Sequence, residues 1–344
     1  MKKLRVLVLM HESLVPPDSL DGYTPQQVSE FKTEYDVMSF LRTAGHEVRA
    51  LGLYDNLADL RAAIADWKPD VAFNLLQEFQ GIITYDQHIV AYLELMRQPY
   101  TGCNPRGMML SRDKVLSKQI LAYHRIPTPR FAICRRGQPI RVPAKLQYPL
   151  FVKSATEDAS LGIAQASIVE DKARLKERIA FIHESTKTDA LIEEYIEGRE
   201  LYVSVCGNER LTTYPVWEMD FGTLPDVNVG IATRKVKWDL QYQKKHGIRT
   251  GKAAGLTDAD HERLGRVAKR IYRALHMSGY ARMDLRMKPD GSVFVLEANA
   301  NPNLSHGEDF ADSAESAGES YEALLHRIIR FGLGYGAEWR LNGT

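Results

Sequence analysis

Over roughly the first 110 residues, short apolar runs alternate with helix-period segments, and this alternation narrows the available folds more than any other feature. Val6–Met10 is continuously apolar and rich in β-branched residues, the pattern of a parallel strand covered on both faces. Val28, Phe31, Tyr35, Met38 and Leu41 recur at three- and four-residue steps and predict an amphipathic helix, with Gly45 where it should end. Glu47–Leu53 reads as a second strand, Leu57–Trp67 as a helix, Asp70–Leu76 as a third strand and Asp86–Met96 as a further helix. Strand–helix alternation implies parallel β-α-β units, so residues 1–110 are expected to form a doubly wound α/β domain. The segment lacks a Gly-x-Gly-x-x-Gly turn, so nothing supports nicotinamide binding.

The pattern then changes. Ser111–His124 reads as a helix, Pro149–Ser154 as a strand carrying Lys153, Ile163–Val169 as a strand and Asp171–His183 as a helix. Ala190–Ile196, Glu200–Cys206 and Leu211–Trp217 follow as three strands in succession, which predicts antiparallel sheet. Asp220–Lys252 is polar and basic without a clear period, and a loop of that length is usually functional. Thr257 with Asp260 resembles a capping box opening a helix to about Met277. Tyr280–Met287 and Ser292–Ala298 form a hairpin, and Ala314–Phe331 a final helix. The expected class is α/β, becoming α+β in the C-terminal part, with domains at 1–110, 111–196 and 197–344.

Charge excludes more than it suggests. With 45 Lys+Arg against 44 Asp+Glu the formal net charge is +1, which gives no electrostatic argument for nucleic acid or an anionic membrane as partner. Cys103, Cys134 and Cys206 are far apart and suit a reducing compartment rather than a disulfide framework. The apolar run Leu4–Met10 is interrupted by Arg5 and stops at His11-Glu12 with no small-residue cleavage site. No stretch of about 18 apolar residues occurs, so a cytoplasmic protein with no membrane span is expected.

The densest chemistry lies in the last hairpin. Residues two apart in a strand share a face, so Arg282, Asp284 and Arg286 point one way, as do Glu297 and Asn299. If the connection has an even residue count, Asp284 and Arg282 meet Glu297 and Asn299 on the same side. Two carboxylates and an amide oxygen there would suit Mg²⁺, which takes few protein oxygens and keeps waters or phosphate oxygens. Taken alone, the bare pattern is better explained by an ordinary hairpin with solvated charges.

Three further segments change that weighting, Ser111-Arg-Asp-Lys114, the strand lysine Lys153 with its following loop, and Leu191-Ile-Glu-Glu-Tyr-Ile196 with Glu200, which precede Arg282-x-Asp284 and Glu297-Ala-Asn299-x-x-Pro302 in the chain. Together they resemble the ATP-grasp ligases, most closely the D-alanine–D-alanine ligase branch, over roughly residues 98–331. The resemblance implies an ATP-grasp fold behind a Rossmann-like N-terminal domain, with ATP and two Mg²⁺ ions as cofactors and Mn²⁺ as a substitute. It gives Lys114 and Lys153 to the ATP phosphates, with Ser160 in the adjoining loop. Glu193, Glu194, Tyr195 and Ile196 form the hinge strand at the adenine, and Glu200 holds the ribose. Lys235 or Lys237 would reach the γ-phosphate from a lid over about residues 220–252. Asp284, Glu297 and Asn299 would hold the metal, and Arg282 the reacting carboxyl. A homodimer is what the family suggests.

Departures from the family concentrate on the substrate side. The loop usually reading Ser-Ser-Val-Gly is Ala159-Ser-Leu-Gly162 here; the early Gly-Gly-x-Ser-x-Glu segment is replaced by His11-Glu12-Ser13. A His-Gly pair after the third strand is replaced by Leu76-Gln77-Glu78, and the glycine expected after the metal asparagine is Asn303. The expected function is an ATP-dependent carboxylate–amine ligase working through an acylphosphate on polar, amino-acid-like small molecules. His11, Glu12, Gln77, Glu78, Asn303, Ser305 and His306 are the candidate substrate residues. D-alanine–D-alanine ligation proper, an acylphosphate enzyme with a different nucleophile, and an ATP-binding regulatory module without turnover are the alternatives.

Overall fold

The computed structural model describes residues 2–141, 144–156, 164–222, 233, 236 and 239–341. The N-terminal part runs β1 (Arg5–His11), α1 (Pro25–Glu30), α2 (Lys32–Thr43), β2 (Glu47–Leu53), α3 (Leu57–Trp67), β3 (Val71–Asn74) and α4 (Asp86–Leu95). Its three strands are parallel in the order β2-β1-β3. The central strand has the continuous apolar run that two covered faces require, and Val6, Leu7, Val8, Leu9 and Met10 are all buried. The helix expected over 28–41 is two helices, because Phe31 leaves helical geometry between them.

Two helices lead onward, α5 (Pro105–Arg112) and α6 (Lys114–Tyr123), where one was expected. The break is a cap: Asp113 Oδ1 accepts from the amides of Val115 and Leu116 at 3.0 and 2.9 Å. Arg112, one residue earlier, pairs with the buried Asp86 at 2.6 Å and ties α5 to α4. Each polar residue of that motif thus fixes where the chain delivers Lys114.

β4 (Phe131–Cys134), β5 (Leu150–Ser154), β6 (Ile168–Val169), α7 (Lys172–Ser185) and β7 (Ala190–Glu194) build a four-stranded antiparallel sheet ordered β4-β7-β5-β6. It closes its own core, in which Leu175, Ile179 and Ile182 of α7 pack against Leu150, Val152 and Ile192.

The remaining elements are β8 (Arg199–Cys206), β9 (Thr212–Thr213), β10 (Trp217–Asp220), α8 (Leu240–His246), β11 (Arg249–Lys252), α9 (Asp258–Ala274), β12 (Tyr280–Met287), β13 (Val293–Ala300), α10 (Asp309–Ser316) and α11 (Tyr321–Gly334). A six-stranded antiparallel sheet runs β11-β10-β8-β12-β13, with β9 on β8. The strand expected over 211–217 is two short ones, the stretch 220–252 contains α8 and β11, and the last helix is two helices. The capping box at Thr257 and Asp260 is present, and α9 buries Leu264, Ala268, Ile271 and Tyr272. That face joins Leu201, Val203, Met283 and Leu285 in a core shared with Leu7, Leu9 and Leu93, so one hydrophobic core runs from the parallel sheet to the six-stranded one, with α4 packed on α5 and α5 on β13. Among the described residues, no helix is long and apolar enough to cross a membrane.

Candidate functional site

The hairpin β12–β13 carries the first half of the site through an irregularity that periodicity does not announce. Its connection, Lys288–Ser292, has an odd number of residues, and near the turn Leu285 pairs with Val295 and Arg286 with Phe294. Continued unbroken, that register would leave Glu297 and Asn299 on the face opposite Asp284. The register instead shifts by one residue, so Asp284 lies opposite Glu297 and Arg282 opposite Asn299. Leu296 is the extra residue of a β-bulge, a device that re-aims side chains at sites. The bulge, not the turn, puts all four on one face.

Arg282 anchors that face. Its Nε and Nη2 donate to Asp284 Oδ1 and Oδ2 at 2.8 and 3.0 Å, its Nη1 lies 3.4 Å from Asp309 Oδ2, and its guanidinium sits 4.5 Å from the Tyr202 ring centroid. Burial opposes the charge, but Asp284 and then Asp309 outweigh it and raise the Arg282 pKa. The bidentate pair engages both oxygens of the Asp284 carboxylate, and each carboxylate oxygen can accept more than one contact. Asn299 Nδ2 is buried and has no hydrogen-bond partner among the described residues. That amide is therefore free to turn its oxygen to a ligand, and two carboxylates beside an amide form the all-oxygen donor set that Mg²⁺ takes.

The second half comes from α6 and the four-stranded sheet. Glu193 on β7 is 2% exposed and bridges two buried lysines, Lys118 Nζ at 2.5 Å and Lys153 Nζ at 3.0 Å. Burial alone would raise its carboxyl, but the two lysines together hold it below the ordinary range. Burial lowers the Lys118 pKa against the pull of Glu193; for Lys153 the same burial is outweighed by Glu193 and Glu297, and its pKa rises. Lys114, also buried, lies 3.8 Å from Glu297 and so joins the two halves.

The segment Tyr195–Gly198 is held by Arg286, whose Nη1 donates to Tyr195 Oη, Ile196 O and Gly198 O, each at 3.3 Å. Arg286 Nη2 donates to Glu200 Oε2 at 2.7 Å, while Tyr202 Oη donates to Glu200 Oε1 at 2.9 Å. Glu194, half-buried, accepts from the amide of Gln147 at 3.1 Å. Buried and half-buried cations Lys114, Lys118, Lys153, Arg282 and Arg286 thus face carboxylates Glu193, Glu200, Asp284, Glu297 and Asp309 in near balance. The +1 net charge of the chain is locally a dense array of both signs.

The candidate substrate residues fall in two groups. His11 Nε2 is 3.3 Å from Glu78 Oε1 at the carboxyl ends of β1 and β3, where open parallel sheets bind ligands. Glu12 and Gln77 beside them are exposed. Asn303 Oδ1 accepts from Thr33 Oγ1 at 2.9 Å and from Ser305 N and Oγ at 2.8 Å, while the His306 amide donates to Asp36 Oδ2 at 2.9 Å. These bonds clamp the loop after β13 onto α2. Ser160, Lys235 and Lys237 lie outside the described residues.

Sequence reasoning missed Lys118, Tyr202 and Asp309, and gave Arg286 no role. Lys118 had a signal, since it stands four residues after Lys114 on the same helix face. Arg286 shares the strand face of Arg282 and Asp284; Tyr202 and Asp309 had no signal.

Comparison with known proteins agrees with this geometry. The family model for the D-ala D-ala ligase C-terminus matches residues 120–330. The uncharacterized protein y4sG of Sinorhizobium fredii (strain NBRC 101917 / NGR234) is 33% identical over 259 residues, 75% of this chain and 73% of that protein. The D-alanine–D-alanine ligase of Desulforudis audaxviator (strain MP104C) is 27% identical over 324 residues, 90% of this chain and 96% of that enzyme. The crystal structure of D-alanine–D-alanine ligase from Bacillus anthracis complexed with ATP superposes with a TM-score of 0.74 at 24% identity, covering 99% of this chain and 100% of that one. VanG D-Ala:D-Ser ligase from Enterococcus faecalis gives a TM-score of 0.71 at 19% identity, covering 96% and 100%. The chain belongs to the D-alanine–D-alanine ligase-like family of ATP-grasp proteins and is an ATP-dependent ligase.

Proposed function

We propose that the protein joins a carboxylate to an amine through an acylphosphate, and that its substrates are polar, amino-acid-like molecules other than a pair of D-alanines. The observation that carries the ligase chemistry is the array in which Lys114 meets Glu297 and Lys153 is drawn by Glu193 and Glu297, beside the Arg282–Asp284–Glu297–Asn299 surface. Phosphoryl transfer requires positioning and charge neutralisation rather than covalent help, and this array supplies both. Lys114 and Lys153 hold the ATP phosphates, and the hinge Glu193–Ile196 receives the base. Asp284, Glu297 and Asn299 would hold two Mg²⁺ ions, or Mn²⁺ through the same oxygens, which when bound neutralise polyphosphate charge.

Arg282 orients the reacting carboxylate. One of its oxygens attacks the γ-phosphorus while the bond from that phosphorus to the β-phosphate bridging oxygen breaks, giving acylphosphate and ADP. The amine nitrogen then adds to the acyl carbon and loses its proton to solvent, and phosphate departs with its electron pair as the amide forms. Arg282 also faces the oxyanion of the tetrahedral adduct.

Support for a substrate other than D-alanine comes from the far wall. His11 and Glu78 form a polar pair beside the Tyr54 ring, whose centroid lies 5.5 Å from that of His11. A pair of that kind suits a polar side chain better than a methyl group. Incubation with ATP, Mg²⁺ and an amino-acid panel that includes D-alanine, read by phosphate release and mass spectrometry of product, tests the proposal. Phosphate release that requires both a carboxylate and an amine is expected, with a polar pair preferred; highest turnover with D-alanine alone refutes the substrate part. ATP binding without stimulation by any substrate refutes the ligase chemistry.

The lysine assignment has its own measurement. Lys153→Ala removes a desolvated charge–phosphate contact worth about 1.5–3 kcal/mol, so ATP affinity should fall roughly tenfold to a hundredfold. Calorimetric titration with ATP reads this directly, and an unchanged affinity refutes the assignment.

A further inference from the structure

The bulge at Leu296 interrupts the ladder, and buried carbonyls that leave a ladder need other donors. One side chain meets them. Lys118 Nζ lies 3.4 Å from the carbonyl oxygen of Val295 and 3.2 Å from that of Leu296, the two residues at the register shift. The same ammonium sits 2.5 Å from Glu193 Oε1, and the Lys118 side chain is 1% exposed. Too enclosed to meet a phosphate itself, it links the hinge strand of one sheet to the irregular point of the other.

The geometry points to Lys118 as a positioning residue that pins the β13 bulge and thereby keeps Glu297 and Asn299 aimed at the divalent-cation site. This rests on the assignment of Asp284, Glu297 and Asn299 to that cation. Without the ammonium, the carbonyls of Val295 and Leu296 lose their buried donor. A slip of one residue would then carry Glu297 and Asn299 to the face of Met283, since side chains alternate along a strand. Lys114, four residues earlier on α6, faces Glu297 directly, so one helix face serves both the carboxylate and the backbone that aims it.

The test compares wild type with Lys118→Met and with Lys118→Gln; Glu193 keeps Lys153 as its partner in both, and glutamine retains an N–H donor without the charge. Three quantities are read: melting temperature, ADP affinity in EDTA by calorimetry, and Mn²⁺ affinity of the ADP-saturated protein by electron paramagnetic resonance. Loss of an outer-shell partner weakens metal binding about 10–100-fold, and Lys118→Met should show that loss while its ADP affinity in EDTA stays near wild type. Lys118→Gln should fall between wild type and Lys118→Met in Mn²⁺ affinity, because it keeps a donor for the carbonyls without the charge or the reach, and it carries the test alone if Lys118→Met does not fold. Mn²⁺ affinity equal to that of wild type overturns the inference. So does a Lys118→Gln variant that binds Mn²⁺ no more tightly than Lys118→Met, since Lys118 is then only a counter-charge for Glu193. Absence of nucleotide-dependent Mn²⁺ binding in the wild type overturns the metal assignment, and this inference with it.

Discussion

An Arg282→Met variant should turn over about 10²–10³ times more slowly than wild type, the effect of removing one preorganised group facing developing charge. Its metal-free form should also be less stable, by about 3–5 kcal/mol, because Asp284 is left as a buried carboxylate without its bidentate partner. The two effects separate by ligand. A divalent cation beside Asp284 and Glu297 would replace part of the missing positive charge, so Mg²⁺ with ADP should restore more melting temperature to the variant than it adds to wild type. It should not restore turnover, because the cation does not reproduce the planar fork that orients a carboxylate. Arg282→Lys keeps the charge and loses that geometry, so it should recover stability more fully than rate. Steady-state kinetics and thermal melts in EDTA and in Mg²⁺–ADP make the comparison. A rate loss below tenfold, or a melting temperature unchanged in EDTA, contradicts the role given to Arg282.

The legible parts of the chain were those in which local pattern and global packing agree. β2 and α3 lie where the sequence places them, at Glu47–Leu53 and Leu57–Trp67, because a strand period or a helix period there coincides with the buried face. β11 was not legible: Arg249–Lys252 pairs through its backbone and buries no side chain, so no apolar period marks it. The break at Asp113 was hidden because apolar residues continue at helical steps on both sides, which masks the one signal present, an aspartate suited to an N-cap. In the site, Lys153, Glu193, Asp284 and Glu297 were legible only together, in the order that resembles a known family, because each alone reads as a solvated charge. The bulge did not, since Leu296 is neither Gly nor Pro and its irregularity depends on Lys118, some 180 residues away in the chain. Periodicity finds faces; it does not find the residue that decides which face is used.

Glu193→Ala should be destabilised by about 3–5 kcal/mol near neutral pH, with a deficit that shrinks as pH rises. The wild-type carboxylate stands between Lys118 and Lys153, and the two ammonium groups shift in opposite directions, down for Lys118 and up for Lys153. Removing Glu193 removes the largest attraction on both, and leaves burial and mutual repulsion, each of which disfavours the charged form, against the weaker pull of Glu297. Folded-state lysine pKa values then fall below the unfolded value of 10.5. The unfolded state binds more protons than the native one across that window, so stability increases with pH, and the penalty fades as pH approaches the unfolded value. Urea unfolding of wild type and variant from neutral to alkaline pH measures the difference. A pH-independent deficit would mean that the loss is a cavity and not two stranded charges. Glu193→Gln keeps the volume and removes the charge, so it should show the same slope with a smaller offset. ATP carries its own negative charge to these lysines. If they hold its phosphates, saturating ATP should therefore stabilise Glu193→Ala by more than it stabilises wild type, where binding must first draw Lys153 away from Glu193.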